Sequence, residues 1–123
     1  MSRDYTKLKT IKVLYVEDEE LGREHMKEML QRRFGKVFLA KNGKEALEVV
    51  ESNKPNVIIS DYRMPIMDGK ELLLELQKDG NHTPMIFLTA YPDEIGYVSG
   101  VKVLEKPFKR SDLLDAIMDV LRL

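Results

Sequence analysis

The chain contains no cysteine, which excludes disulfide bridges, thiolate metal sites and thiol nucleophiles and fits a reducing compartment. It has no surplus of charge either. Lys and Arg number 20 against 21 Asp and Glu, a formal net charge of -1, so electrostatics give no case for binding nucleic acid or a membrane surface. No apolar run approaches the roughly 20 residues of a membrane span, and the start Met1-Ser2-Arg3-Asp4 is too polar for a signal peptide. These absences lead us to expect a cytoplasmic protein. What is present is ordinary: 123 residues, 43% of them hydrophobic, suffice for one domain that buries a core without covalent staples.

Apolar runs alternate with amphipathic segments about five times, the pattern of an α/β fold with a parallel sheet. Residues 1–10 read as a polar lead-in and 11–123 as the folded domain. Strands are expected at Ile11 to Val16, Lys36 to Ala40, Val57 to Ser60, Met85 to Leu88 and Val101 to Glu105. The third is apolar without alternation, as a central strand covered on both faces should be. A helix from about Glu20 to Arg33 places Leu21, His25, Met29 and Leu30 at helical spacing, with His25 on the inner stripe. Asn42-Gly43 opens the next, which Pro55 stops; Met67-Asp68-Gly69 precedes a third; Asp112 to Leu121 forms the last. Between Thr89 and Val101, Pro92, Gly96 and Gly100 interrupt a segment barely long enough for a crossover helix, so one or two irregular turns are expected there.

Four of the strands run directly into a polar group: Glu17 and Asp18, Asp61, Thr89, and Lys106. Ligands of open α/β sheets bind at that edge. Three carboxylates converging there would repel one another, which favours binding a divalent cation or protonating one of them; metal binding is the preferred resolution. Mg²⁺ takes oxygen ligands, often one or two carboxylates with water and phosphate oxygens. Asp61 can then attack phosphorus to give an aspartyl phosphate, while Lys106 and Thr89 stabilise the phosphoryl oxygens. Each group has a plainer reading too. Glu17 to Glu20 could be acids favoured near a helix N-terminus, Thr89 a turn hydroxyl and Lys106 a solvated lysine. Their joint order argues for the chemistry.

With Val13-Leu14-Tyr15-Val16-Glu17-Asp18-Glu19, Ile58-Ile59-Ser60-Asp61-Tyr62-Arg63-Met64-Pro65-Ile66-Met67-Asp68-Gly69, Leu88-Thr89-Ala90 and Glu105-Lys106-Pro107-Phe108 in this order, the chain resembles the receiver domain of bacterial two-component response regulators. The resemblance covers residues 11–123. It implies a flavodoxin-like, doubly wound, five-stranded parallel sheet of order 2-1-3-4-5 with helices on both faces, the fourth helix here short or irregular. It implies that Asp61 accepts a phosphoryl group from the phosphohistidine of a sensor histidine kinase or a phosphotransfer protein. Glu17, Asp18, Asp61 and the backbone carbonyl of Arg63 would hold Mg²⁺ or another divalent cation such as Mn²⁺. Lys106, joined to Pro107 by a cis peptide bond, would pair with the phosphoryl group, and Thr89 would swing towards it, drawing its loop along. Such a domain is a signalling phosphoacceptor rather than a classical enzyme. It controls a downstream target or a fused output domain, binds no nucleic acid or membrane itself, and in some cases forms a homodimer.

Three departures stand out. Val103 occupies the position of the family's switch aromatic, for which Tyr91 or Tyr97 would have to substitute. The segment from Thr89 to Lys106 is about one helical turn short. Arg63 and Tyr91 sit two residues after Asp61 and Thr89, positions that tune dephosphorylation in this family. Val103 and the short segment keep a phosphorylation-independent pseudo-receiver as the alternative. A haloacid-dehalogenase-type phosphohydrolase would want a second carboxylate where Arg63 stands, and a flavodoxin-like redox module would have its phosphate repelled by Glu17 to Glu20.

Overall fold

In the computed structural model, which describes residues 3–123, five short strands form one parallel sheet. They are β1 (Lys12–Val16), β2 (Lys36–Ala40), β3 (Val57–Asp61), β4 (Met85–Thr89) and β5 (Val101–Glu105), in the order β2-β1-β3-β4-β5. Each is followed by a crossover, giving α1 (Glu20–Gln31), α2 (Gly43–Asn53) and α3 (Gly69–Lys78), with α4 (Arg110–Leu121) closing the chain. β3 and β4 are buried along their whole length, as central strands covered on both faces must be.

Side-chain alternation splits the core in two. Val13, Tyr15, Val57, Ile59, Ile86 and Leu88 face one layer with Leu30 of α1 and Leu113, Leu114 and Ile117 of α4. Leu14, Val16, Ile58, Met85 and Phe87 face the other, with Ala46 and Val50 of α2 and Leu72, Leu73 and Leu76 of α3. Local chemistry sets the helix starts. The Asn42 carboxamide accepts the Glu45 N–H at 2.8 Å, and Asp68 and Glu71 form a reciprocal capping box.

The fourth crossover is not a helix of the usual length. A 3-10 turn at Pro92–Glu94 and an irregular run with Gly96 and Gly100 at positive φ return the chain to β5. Lying at the sheet edge, with α4 against one face and only the irregular fourth crossover against the other, β5 stays half-exposed.

Two expectations need correction. Of the polar lead-in, Met1 and Ser2 lie outside the described residues, but Tyr5–Thr10 forms a 3-10 helix capped by Asp4. Its Leu8 is wholly buried in the core. Arg3 reaches Asp119 at 2.9 Å and the carbonyl of Leu123 at 3.4 Å, and the Tyr5 hydroxyl donates to Asp115 at 2.9 Å. The inner stripe of α1 is also displaced: Leu21 is 80% exposed and His25 is exposed, while Met26, Met29 and Leu30 pack inward. Gly22 approaches the Glu17 carboxylate so closely that a Cβ there would displace it.

Candidate functional site

The sheet register brings the polar strand ends together. Val16 pairs with Ser60, which sets Glu17 beside Asp61; Asp61 pairs with Leu88, one residue before Thr89; Thr89 pairs with Glu105, one before Lys106. Backbone bonds carry the pattern past the strands. Glu17 N–H donates to the Ala40 carbonyl at 3.0 Å, Tyr62 N–H to Leu88 at 3.0 Å and Lys106 N–H to Thr89 at 2.8 Å. The Lys106–Pro107 peptide bond is cis, as expected.

Asp61 is 7% exposed, and its Oδ1 lies 2.9 Å from the Lys106 ammonium. The contact is a charge pair without hydrogen-bond alignment, so Oδ1 is a buried oxygen with no aligned donor. Burial is the main force pushing the Asp61 carboxyl above its ordinary range; Lys106 opposes it, and Asp18 and Glu19 add to it. The carboxylate is thus ionised only against resistance.

The other predicted residues divide. Asp18 is exposed at the mouth, close enough for its charge to act on Asp61. Glu17 is buried, but its Oε1 accepts a short hydrogen bond from the Tyr15 hydroxyl. Burial raises its carboxyl above the usual range despite that bond, and burial followed by the same bond raises the Tyr15 phenol. Arg23 donates to the Glu17 carbonyl at 2.8 Å. Thr89 is buried with its Oγ1 accepting the Tyr91 N–H at 3.0 Å. Arg63 makes a bidentate ion pair with Glu94, which holds the Glu94 carboxyl below its usual range.

Among the described residues no three His, Asp or Glu side chains gather into a ready metal cage. The donor set still suits a hard divalent cation, which commonly takes one or two carboxylates: a buried carboxylate oxygen without an aligned donor and a second carboxylate nearby. Glu17 bonds Tyr15, yet the Asp61 charge still acts on it, as the Asp18 charge acts on Asp61.

Tyr15, Gly22 and Glu94 were not read from the sequence as part of the site. Tyr15 was findable. It lies two residues before Glu17, on the same face of a strand, and a buried phenol needs a polar partner. Glu94 carries no local signal, because its link to Arg63 exists only once two loops meet. Neither Tyr91 nor Tyr97 fills a buried aromatic role: they are 66% and 92% exposed. Their backbone lies in the irregular crossover, where no helix seats them.

Comparison with known proteins identifies the family and the fold. Residues 13–118 match the family model described as the response regulator receiver domain. The chain is 32% identical over 117 residues to the response regulator MprA of Mycolicibacterium vanbaalenii, covering 91% of this chain and 51% of that protein. The chain therefore spans about half the length of the relatives it matches. A response regulator receiver domain protein from Clostridium thermocellum superposes with a TM-score of 0.82 at 27% identity, over 91% of this chain and 94% of that one. The receiver domain of Francisella response regulator 1452 gives 0.81 at 31% identity, over 92% and 98%.

Proposed function

The chain belongs to the response regulator receiver domain family, and from that premise we propose that it accepts a phosphoryl group on Asp61 and changes conformation to control a downstream target. The observation that carries the reading is the buried Asp61 carboxylate, with Lys106 at 2.9 Å and one oxygen lacking an aligned donor. Asp61 attacks the phosphorus of a phosphohistidine on a sensor kinase or phosphotransfer protein, the P–N bond breaks, and the histidine leaves. Lys106 pairs with the phosphoryl oxygens, relieving a site otherwise rich in negative charge. Thr89 gives up the Tyr91 N–H and turns its hydroxyl towards the new group.

Glu17, Asp18, Asp61 and the Arg63 carbonyl are the residues we assign to a divalent cation, Mg²⁺ or Mn²⁺. When bound, it neutralises charge on the phosphoryl oxygens. Glu17 takes part directly only by sharing or leaving its Tyr15 bond. Tyr15 thus sets how available that ligand is.

The domain works in the cytoplasm on a partner protein or an attached output domain, and catalyses no reaction beyond its own phosphorylation and dephosphorylation. Intact mass after treatment with acetyl phosphate tests this. Wild type should gain one phosphate in the presence of Mg²⁺ and little without it, and Asp61→Asn should gain none. An unmodified wild type that binds Mg²⁺ and also resists a phosphohistidine donor would instead establish the pseudo-receiver reading, which Val103 and the reduced fourth crossover favour.

A further inference from the structure

The Arg63–Glu94 ion pair ties together the two loops that flank the acceptor. Arg63 lies two residues beyond Asp61, on the loop leaving β3; Glu94 lies in the turn beyond β4 and Thr89. Nε donates to Oε1 at 2.9 Å and Nη2 bonds Oε2, so one edge of the guanidinium is committed to one carboxylate. With Tyr62, Met64 and Asp68 the pair lines a hollow of about 410 Å³. Lys106, Asp18 and Glu19 act on Asp61, while Arg63 is bonded to the other loop through Glu94.

A second tie lies in the same segment. The Tyr91 N–H donates to Thr89 Oγ1 at 3.0 Å, and that bond must break when the Thr89 hydroxyl turns to a phosphoryl group. Beyond Glu94 the chain has Gly96 and Gly100 at φ +67° and +80°, an exposed Tyr97, and only Ile95 and Val98 packed against the core. Residues 91–94 are thus tied by side-chain bonds to Thr89 at the end of β4 and to Arg63 on the loop after Asp61.

We infer that Glu94 is a positioning residue for Arg63: it holds the guanidinium until the phosphoryl group on Asp61 takes it over, and that exchange releases the segment from Tyr91 to Gly100. The inference rests on the acceptor role proposed for Asp61. A phosphoryl group carries nearly two negative charges at neutral pH against one on Glu94, and guanidinium binds phosphate oxygens bidentately. An exposed ion pair biases an equilibrium by no more than about five-fold, so it is weak enough to be displaced. The exchange gives this chain a route from acceptor to surface that needs no aromatic at Val103.

Arg63 on the phosphoryl group also slows its loss, in which water attacks phosphorus, the bond to the Asp61 oxygen breaks, and inorganic phosphate leaves with the carboxylate restored. The two partners then have opposite effects. After donor removal, with decay followed by intact mass, Glu94→Gln should lengthen the phosphoryl lifetime about two- to five-fold, because Arg63 is free to bind the group. Arg63→Gln should shorten it by a similar factor. The double swap Arg63→Glu/Glu94→Arg rebuilds the tie but leaves no cation on the acceptor loop, so its lifetime should stay as short as that of Arg63→Gln. A mere structural tie would shift both single variants in one direction and let the swap restore wild type. That result, or unchanged lifetimes, overturns the exchange while leaving phosphorylation intact. A wild type that gains no phosphate at all overturns the acceptor reading itself, and the exchange with it.

Discussion

Asp61 is held by the fold in a setting its charge opposes: burial, Asp18 and Glu19 together outweigh Lys106. A carboxyl raised above its ordinary range binds protons more tightly in the folded state than in the unfolded one. Stability from this residue is therefore fully present below the unfolded-state value near 3.8 and is lost as pH rises through the raised one. Asp61→Asn should accordingly be more stable than wild type at neutral pH in EDTA, seen as a rise in Tm. The advantage should vanish on acidification below the ordinary carboxylate range. Adding Mg²⁺ should raise the Tm of wild type and leave the variant nearly unmoved, because only an intact site gains free energy from binding. Differential scanning calorimetry across pH and Mg²⁺ concentration checks all three. Glu17, Asp18, Asp61, Thr89 and Lys106 were legible in the sequence because each ends an apolar strand, and a parallel sheet brings strand ends together. The tie between Glu17 and Tyr15 needed only the two-residue alternation of a strand. The tie between Arg63 and Glu94 needed the path of a loop, which local pattern does not encode.

Elements were legible where one face had to be buried. β2 and β5 match their expected limits and the others differ by a residue or so, because apolar runs bounded by Gly, Pro or Asn leave little freedom. The short fourth crossover was also readable, since Pro92, Gly96 and Gly100 weaken any helix there. The face of α1 was not. Leu21 has the right character for a core position, but the stripe through Met26, Met29 and Leu30 turns inward and leaves it exposed. The helix at Tyr5–Thr10 was missed because one leucine in six polar or mixed residues makes no periodic signal. Its contribution is nonetheless large. Leu8→Ala empties a fully buried position and should cost about 2–5 kcal/mol, measured as a fall in the urea midpoint with an unchanged slope. A loss below 1 kcal/mol would mean that the segment is only laid on the core.

Taken as one body, the molecule is a two-layered core divided by its sheet, with the chemistry at one end of the strands and the uncovered flank at β5. No helix among the described residues is long and apolar enough to cross a membrane. The N-terminal segment is clasped to α4 by Arg3 and Tyr5, and the Arg3 guanidinium donates to the carbonyl of Leu123. The two ends of the described chain thus meet on one side of the fold, and their order in the chain is not a mechanical requirement of the architecture. A circular permutant that joins Arg3 to Leu123 through a short glycine–serine linker and opens new ends in the exposed turn at Gly80 should fold and still take one phosphate on Asp61. Circular dichroism and intact mass would check it. Success would give a version of the domain with its ends moved to the α3–β4 corner, from which sensors or effectors could be attached in orientations that the native order does not allow.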